Sequence, residues 1–189
     1  MASASKGSVF ERQVCGDLSR WWTHGERDDV FWRTAGSGGR ATTRQQRGKQ
    51  TAGGHGDIAA VDPIGEPLMR AFCFELKRGY SRDTVHHVID RPDRAAEQVW
   101  EAFVAQAAAS AEGAGSVSWA IIAKRDRREA MLWLPASGLH LLNRTHTTKH
   151  RDIRRGCVRI GGEWVWALRL SEFFEAYTPE DIVQGVQTC

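Results

Sequence analysis

Apolar residues recur at helical spacing over residues 9–22, where Val9, Val14, Leu18, Trp21 and Trp22 form one stripe and predict an amphipathic helix. The run over 71–77 alternates instead. Phe72, Phe74 and Leu76 point one way, into a core, while Glu75 and Lys77, two residues apart, share the other face of a strand. A second short apolar run over 58–61 is opened by Asp57, and the turn residues over 62–67 predict a hairpin that lays the two runs side by side. Residues 93–112 are rich in Ala, Glu and Gln. Val99, Trp100, Phe103 and Val104 lie on one stripe there, so a long helix is expected, ended by Gly113-Ala114-Gly115. Buried strands follow over 119–124 and 130–134, after which the pattern predicts a short helix over 137–143. A hairpin over 157–160 and 164–170 across Gly161-Gly162 and a capped helix over 171–177 complete the reading. Trp164, Trp166, Phe173 and Phe174 read mostly as core, with base stacking or a dimer seam as the alternative. A helix crossing from the Glu75 strand to a parallel partner is the connection of a mixed sheet, so the fold class is α/β.

With 189 residues the chain suits one domain with a sizeable core. No apolar run approaches the length of a membrane span, and residues 1–7 are small and polar without the apolar region of a signal peptide, so a soluble, cytoplasmic protein is expected. Cys15, Cys73, Cys157 and Cys189 contain no C-x-x-C pair. That argues against a zinc module or a disulfide framework and for reduced thiols, with Cys73 buried.

Asp57, Glu75 and Lys77 are the residue types that metal-dependent phosphodiester hydrolysis needs in one place. A hard divalent cation such as Mg²⁺, for which Mn²⁺ can substitute, is held by one or two carboxylates plus waters and substrate phosphate. An adjacent ammonium can orient the attacking water or stabilise charge on the phosphoryl oxygens. A third carboxylate, Glu11, lies on the first helix and would reach the metal if that helix packs beside the sheet; facing solvent is the alternative. An E-x-K pair alone is common on a solvated sheet face, and the upstream Asp57 raises its significance. Asp62 is a substitute ligand only in a shifted register, and before Pro63 it reads as a turn residue.

Five segments carry a resemblance: Gly7-Ser8-Val9-Phe10-Glu11-Arg12, the run from Phe31 through Trp32, Arg33 and Ser37 to Gly39, Gly56-Asp57-Ile58-Ala59-Ala60, Phe74-Glu75-Leu76-Lys77, and Trp119-Ala120-Ile121-Ile122-Ala123-Lys124. Over roughly the first two-thirds of the chain, their order resembles the PD-(D/E)XK nuclease superfamily, most of all the archaeal-type Holliday junction resolvases and their phage-borne relatives. The resemblance implies a restriction-endonuclease-like core of order αβββαβ over 1–135, with 136–189 as a C-terminal extension on the same domain. It also implies an active site of Glu11, Asp57, Glu75 and Lys77, with Asp57, Glu75 and Glu11 toward the metal. Arg33 and Ser37 fall where the resolvases have a basic strand end and a functional serine. The implied enzyme is a DNA endonuclease acting on branched DNA as a homodimer. One departure stands out, because Gly56 replaces the proline that usually precedes the aspartate.

Net charge is only +3, so the distribution of charge matters more than the total. Residues 30–56 contain no acid, while Arg33, Arg40, Arg44, Arg47 and Lys49 lie there among Gly, Thr and Gln, as in a phosphate-gripping arm or an ordinary solvated loop. A second basic concentration comprises Arg144, Lys149, Arg151, Arg154, Arg155 and Arg159, with His146 and His150. His55, two residues before Asp57, is placed to touch a phosphate or to have no role. His86-His87 and the His146/His150 pair lack the helix context and companion ligands of a zinc site. Gln98 and Gln106 invite comparison with the glutamine motifs of exonuclease relatives, although nothing in their spacing singles them out. Alternatives within the same chemistry are a restriction-type or general nuclease on linear or single-stranded DNA. Outside it, a DNA-binding protein on a nuclease scaffold or an RNA-binding module remains open, the latter without an RNP-like motif.

Overall fold

A computed structural model describes residues 6–34, 55–80, 84–90, 99–144 and 153–187. Helix α1 (Lys6–Trp22) leads into a short strand β1 (Phe31–Arg33), which pairs antiparallel with β2 (Ile58–Ala60), Trp32 opposite Ala59. A 3-10 turn (Pro63–Gly65) and helix α2 (Glu66–Ala71) then deliver the chain to β3 (Phe72–Arg78). Helices α3 (His86–Asp90) and α4 (Val99–Ala114) precede β4 (Ser118–Lys124), which runs parallel to β3, Glu75 opposite Ile121. Strand β5 (Ala130–Pro135), helix α5 (Ala136–Asn143), the hairpin β6 (Gly156–Ile160) and β7 (Glu163–Arg169), and helices α6 (Leu170–Ala176) and α7 (Pro179–Gln187) complete the order. The main sheet reads β3-β4-β5-β7-β6, with every pair after the first antiparallel. This is the mixed sheet flanked by helices that the pattern predicts. The C-terminal hairpin joins the sheet itself, with β7 beside β5.

Strand periodicity divides the core in two. Phe72, Phe74, Leu76, Ile122, Leu132 and Leu168 pack on the α1 side, while Cys73, Trp119, Ile121, Trp133 and Val165 pack against Trp100, Phe103, Val104, Ala107 and Ala111 of α4. Strand β4 is apolar on both faces, and so its sequence reads as a run rather than an alternation. On α1 the buried stripe is Phe10, Val14, Leu18 and Trp22, joined by Cys15 and Ser19, one position out of phase with the expected start. Val9 is 49% exposed, because the four-residue step to Val14 and Leu18 begins at Phe10. Ser19 ties this helix to β1, donating to the Cys15 carbonyl (2.8 Å) and accepting from the Phe31 N–H (3.0 Å). Trp21 and Trp22 donate to the Tyr177 and Ile64 carbonyls at 3.0 and 2.8 Å.

The segment expected to be a hairpin turn is built differently. Asp62 accepts from the Ile64 N–H (3.1 Å) and opens the 3-10 turn, after which Pro67 sits in the first turn of α2, where a missing N–H does no harm. Strand β2 therefore pairs with β1 rather than forming a ladder with β3. At Gly161 and Gly162 the expected hairpin does form, both residues taking positive φ (56° and 87°) as a primed turn requires. Phe173 is buried as expected, whereas Trp164, opposite Arg159 at the hairpin, is 56% exposed. Cys15, Cys73 and Cys157 are free thiols, Cys73 buried as anticipated. Among the described residues no helix is long and apolar enough to cross a membrane.

Helix α7 was not anticipated, although its start carries a capping box: Thr178 precedes Pro179, and Asp181 stands three residues on. Asp181 N–H donates to Thr178 Oγ1 (3.3 Å), and the Asp181 carboxylate accepts from the Thr178 N–H (2.8 Å). Thr178→Ala is expected to lower unfolding free energy by about 1 kcal/mol, with Thr178→Ser retaining most of it, as read by urea denaturation.

Candidate active site

Strand β3 lies at the edge of the main sheet, so its outward backbone groups need partners that no neighbouring strand supplies. Asp57 supplies two of them. Its N–H donates to the Phe74 carbonyl (2.7 Å), and its Oδ2 accepts from the Leu76 N–H (2.7 Å), so the residue continues the ladder partly with backbone and partly with side chain. On its other side the Thr34 N–H reaches the Asp57 carbonyl (3.0 Å), and Thr34 Oγ1 donates to the Gly56 carbonyl (2.9 Å). This splice needs Gly56. The residue has φ +70°, and a Cβ there would lie 2.7 Å from the Phe74 oxygen and 2.8 Å from Cys73 Sγ. Proline, locked near φ −65°, cannot take this conformation.

Glu75 projects from the opposite side of the peptide plane, beneath α4, and is only 2% exposed. Burying a carboxylate is tolerated only when its oxygens are paired. Oε2 accepts from Lys77 Nζ (3.2 Å) and Gln106 Nε2 (2.9 Å), and Oε1 accepts from Ser110 Oγ (2.8 Å). Lys77 Nζ also donates to Gln106 Oε1 (2.9 Å) and lies 4.9 Å over the Phe103 ring. Gln106 and Ser110 are one helical turn apart on α4, so both reach the same carboxylate. Ser110 escaped the sequence reading and Gln106 entered it only through the glutamine-motif comparison; the signal available was a pair of polar residues, four apart, in an Ala-rich helix facing a strand carboxylate. Gln98 lies outside the described residues.

Asp57, Glu75 and Lys77 therefore gather at one place. The Asp57 carboxyl is pushed up to about 6, first by burial and then by the Glu75 charge, against the Leu76 N–H and Lys77, with Glu11 adding to the rise. Burial and the nearby carboxylates also push the Cys15 and Cys73 thiols up to about 12, so both stay protonated at neutral pH. Glu11 stands close enough to bias Asp57, yet its own carboxylate is engaged by Arg33 Nε at 3.1 Å. Among the described residues no three His, Cys, Asp or Glu side chains are gathered as a metal cage, and Glu11 is paired with Arg33. Two hard carboxylate donors, with burial and the Glu75 charge resisting ionisation of Asp57, are a pair that a divalent cation keeping most of its waters could use.

The expected DNA contacts divide. Arg33, at the end of β1, is committed at least partly to Glu11. His55 is exposed, with its ring against Gly113 of α4. Ser37, Arg40, Arg44, Arg47 and Lys49 lie outside the described residues, as do His146, Lys149, His150 and Arg151. Arg159 is on β6, four strands across the sheet from Glu75 and so roughly 19 Å away at ordinary strand spacing. Arg155 donates to the Tyr177 hydroxyl (3.1 Å), so Arg155, like Arg159, belongs to the far edge of the sheet rather than to this site.

A mixed sheet whose edge strand carries Glu-x-Lys, with an aspartate spliced beside it, is the arrangement of a restriction-endonuclease-like nuclease. The family model described as "Phage putative PDDEXK endonuclease" matches residues 2–184, and the chain belongs to that family. This sets it within the PD-(D/E)XK nuclease superfamily. No curated protein and no solved structure matches the chain.

Two expectations follow from this geometry. Gly56→Ala should lower unfolding free energy by at least about 1–3 kcal/mol, because it combines a positive φ with a backbone clash, and a thermal melt would show it. In metal-free protein the raised Asp57 value means that the folded state holds its proton longer than the unfolded chain. Stability is then lost as pH rises from about 4 to 6, on the order of 3 kcal/mol in all. Asp57→Asn should be more stable than wild type above pH 6 and comparable near pH 4, as measured by denaturation in EDTA.

Proposed function

We propose that the protein is a metal-dependent endonuclease that hydrolyses DNA phosphodiester bonds at Asp57, Glu75 and Lys77. The observation that carries the reading is the convergence of two carboxylates and an ammonium on the edge strand, each held by named partners. Asp57 and Glu75 would hold Mg²⁺ or Mn²⁺. Such an ion supplies Lewis acidity toward the phosphoryl oxygens and lowers the pKa of a bound water. Asp57 presents its carboxylate with one oxygen fixed by the Leu76 N–H, leaving the other without a hydrogen bond among the described residues. Lys77, held by Glu75 and Gln106, orients the water or neutralises charge developing on the phosphate. Gln106 and Ser110 position Glu75 by donating to its two oxygens. Glu11, paired with Arg33, would complete the site through the metal or a water.

Branched DNA is the substrate favoured within this chemistry. It is supported by the resemblance of the N-terminal helix and of the segment beginning at Phe31 to junction resolvases, and a homodimer would give two sites for opposing strands. The test is cleavage of a four-way junction, a linear duplex, a flap and a single strand, with and without Mg²⁺. Wild type is expected to nick the junction symmetrically only with metal, and Glu75→Ala and Lys77→Ala are expected to fall by at least about a hundredfold. Cutting of linear DNA alone would discard the junction substrate. No cleavage of any of them with any divalent metal would overturn the enzyme.

A further inference from the structure

A cavity of about 320 Å³ opens beside Lys77, on the α4 side of the sheet at the carboxyl ends of the parallel strands β3 and β4. Its walls are aromatic. Trp100 and Trp133 have ring centroids 4.5 Å apart, Tyr80 meets the Phe103 ring edge-on at 4.9 Å, and Phe103 is the ring under Lys77 Nζ. Its rim is cationic, with Lys124, Arg125 and Arg128. Of the acids nearby, Glu129 is paired with Arg169 (3.5 Å) and Asp126 with Arg78 (2.8 Å), so neither cancels that rim. We propose that this cavity receives an unstacked nucleobase of the strand whose phosphate is presented to Asp57, Glu75 and Lys77. The inference rests on the nuclease reading above.

Three observations separate it from ordinary core. Tyr80 has φ +46°, uncommon for an aromatic residue, and it follows Gly79 at φ +99°. That turn holds a 47% exposed ring against Phe103 where a fully packed core would need neither the strain nor the exposure. Trp133 Nε1–H is buried and has no acceptor among the described residues, which a settled core seldom leaves. Finally, aromatic walls beneath a basic rim are the combination by which proteins hold unstacked bases, since every base has a π-face and every link an anionic phosphate. An apolar ligand would leave the rim unexplained, and a small anion the rings.

The experiment compares three fluorescein-labelled duplexes in EDTA, where no cleavage occurs: fully paired, with one bulged nucleotide, and with an abasic bulge at the same position. Fluorescence anisotropy is expected to show wild type binding the base-bearing bulge about tenfold more tightly than the abasic bulge. That preference should vanish in Tyr80→Ala, an exposed position that spares the core, and shrink in Trp133→Phe, which leaves a smaller ring in the wall. Equal binding of the two bulges by wild type would overturn the proposal, as would a preference unchanged in both variants. A base preference that is retained and Tyr80-dependent, in a protein that cleaves nothing, would support the cavity while counting against the nuclease reading.

Discussion

The attachment of Asp57 to the edge of β3 is the constraint on which the site depends. Two hydrogen bonds of 2.7 Å, one through the backbone and one through the carboxylate, fix the start of β2 against Phe74 and Leu76. The small β1-β2 ribbon is thereby joined to the five-stranded sheet without extending its ladder. Because the fixing group is also a carboxylate of the proposed site, its position follows from the fold rather than from a free side-chain rotamer. The cost is local, a glycine at φ +70° with no room for a Cβ and a carboxyl group whose ionisation is resisted by burial and by Glu75.

Strand β3 serves two purposes through its alternation. Phe72, Phe74 and Leu76 enter the core shared with α1, while Glu75 and Lys77 turn toward α4. A buried carboxylate on that side is sustainable because α4 offers Gln106 and Ser110 one turn apart, and because Lys77 pairs with both Glu75 and Gln106. Removing any of these donors would leave part of a buried charge unsatisfied, which costs more than the bond itself is worth. The same helix carries Phe103 and Trp100, so one element organises both the carboxylate network and the aromatic cavity beside it.

What could be read in the chain beforehand was local and periodic. The two-residue period of β3 identified which side chains share a face. The unbroken apolar run of β4 and the Gly161-Gly162 pair identified a central strand and a hairpin, both present. Asp-Pro and Glu-Pro were read as turn signals, yet the same residues also open 3-10 and α-helical turns, and the latter outcome prevailed at Pro63 and Pro67. Helix α7 was announced by Thr178-Pro179-Glu180-Asp181 and passed over. Partnerships across long separations were not legible: Ser110 with Glu75 is 35 residues apart, and the pairing of Arg33 with Glu11 spans two elements. Such pairs arise from how helices land on the sheet, which no local pattern records.

The most direct test of the central claim is an anomalous difference map from a crystal of this protein soaked in Mn²⁺. A single strong peak at roughly 2.0–2.3 Å from oxygens of both Asp57 and Glu75 is the predicted result. A map without a peak between those carboxylates at saturating metal, or with its strongest peak elsewhere, would contradict the assignment of this edge of β3 as the metal-dependent centre.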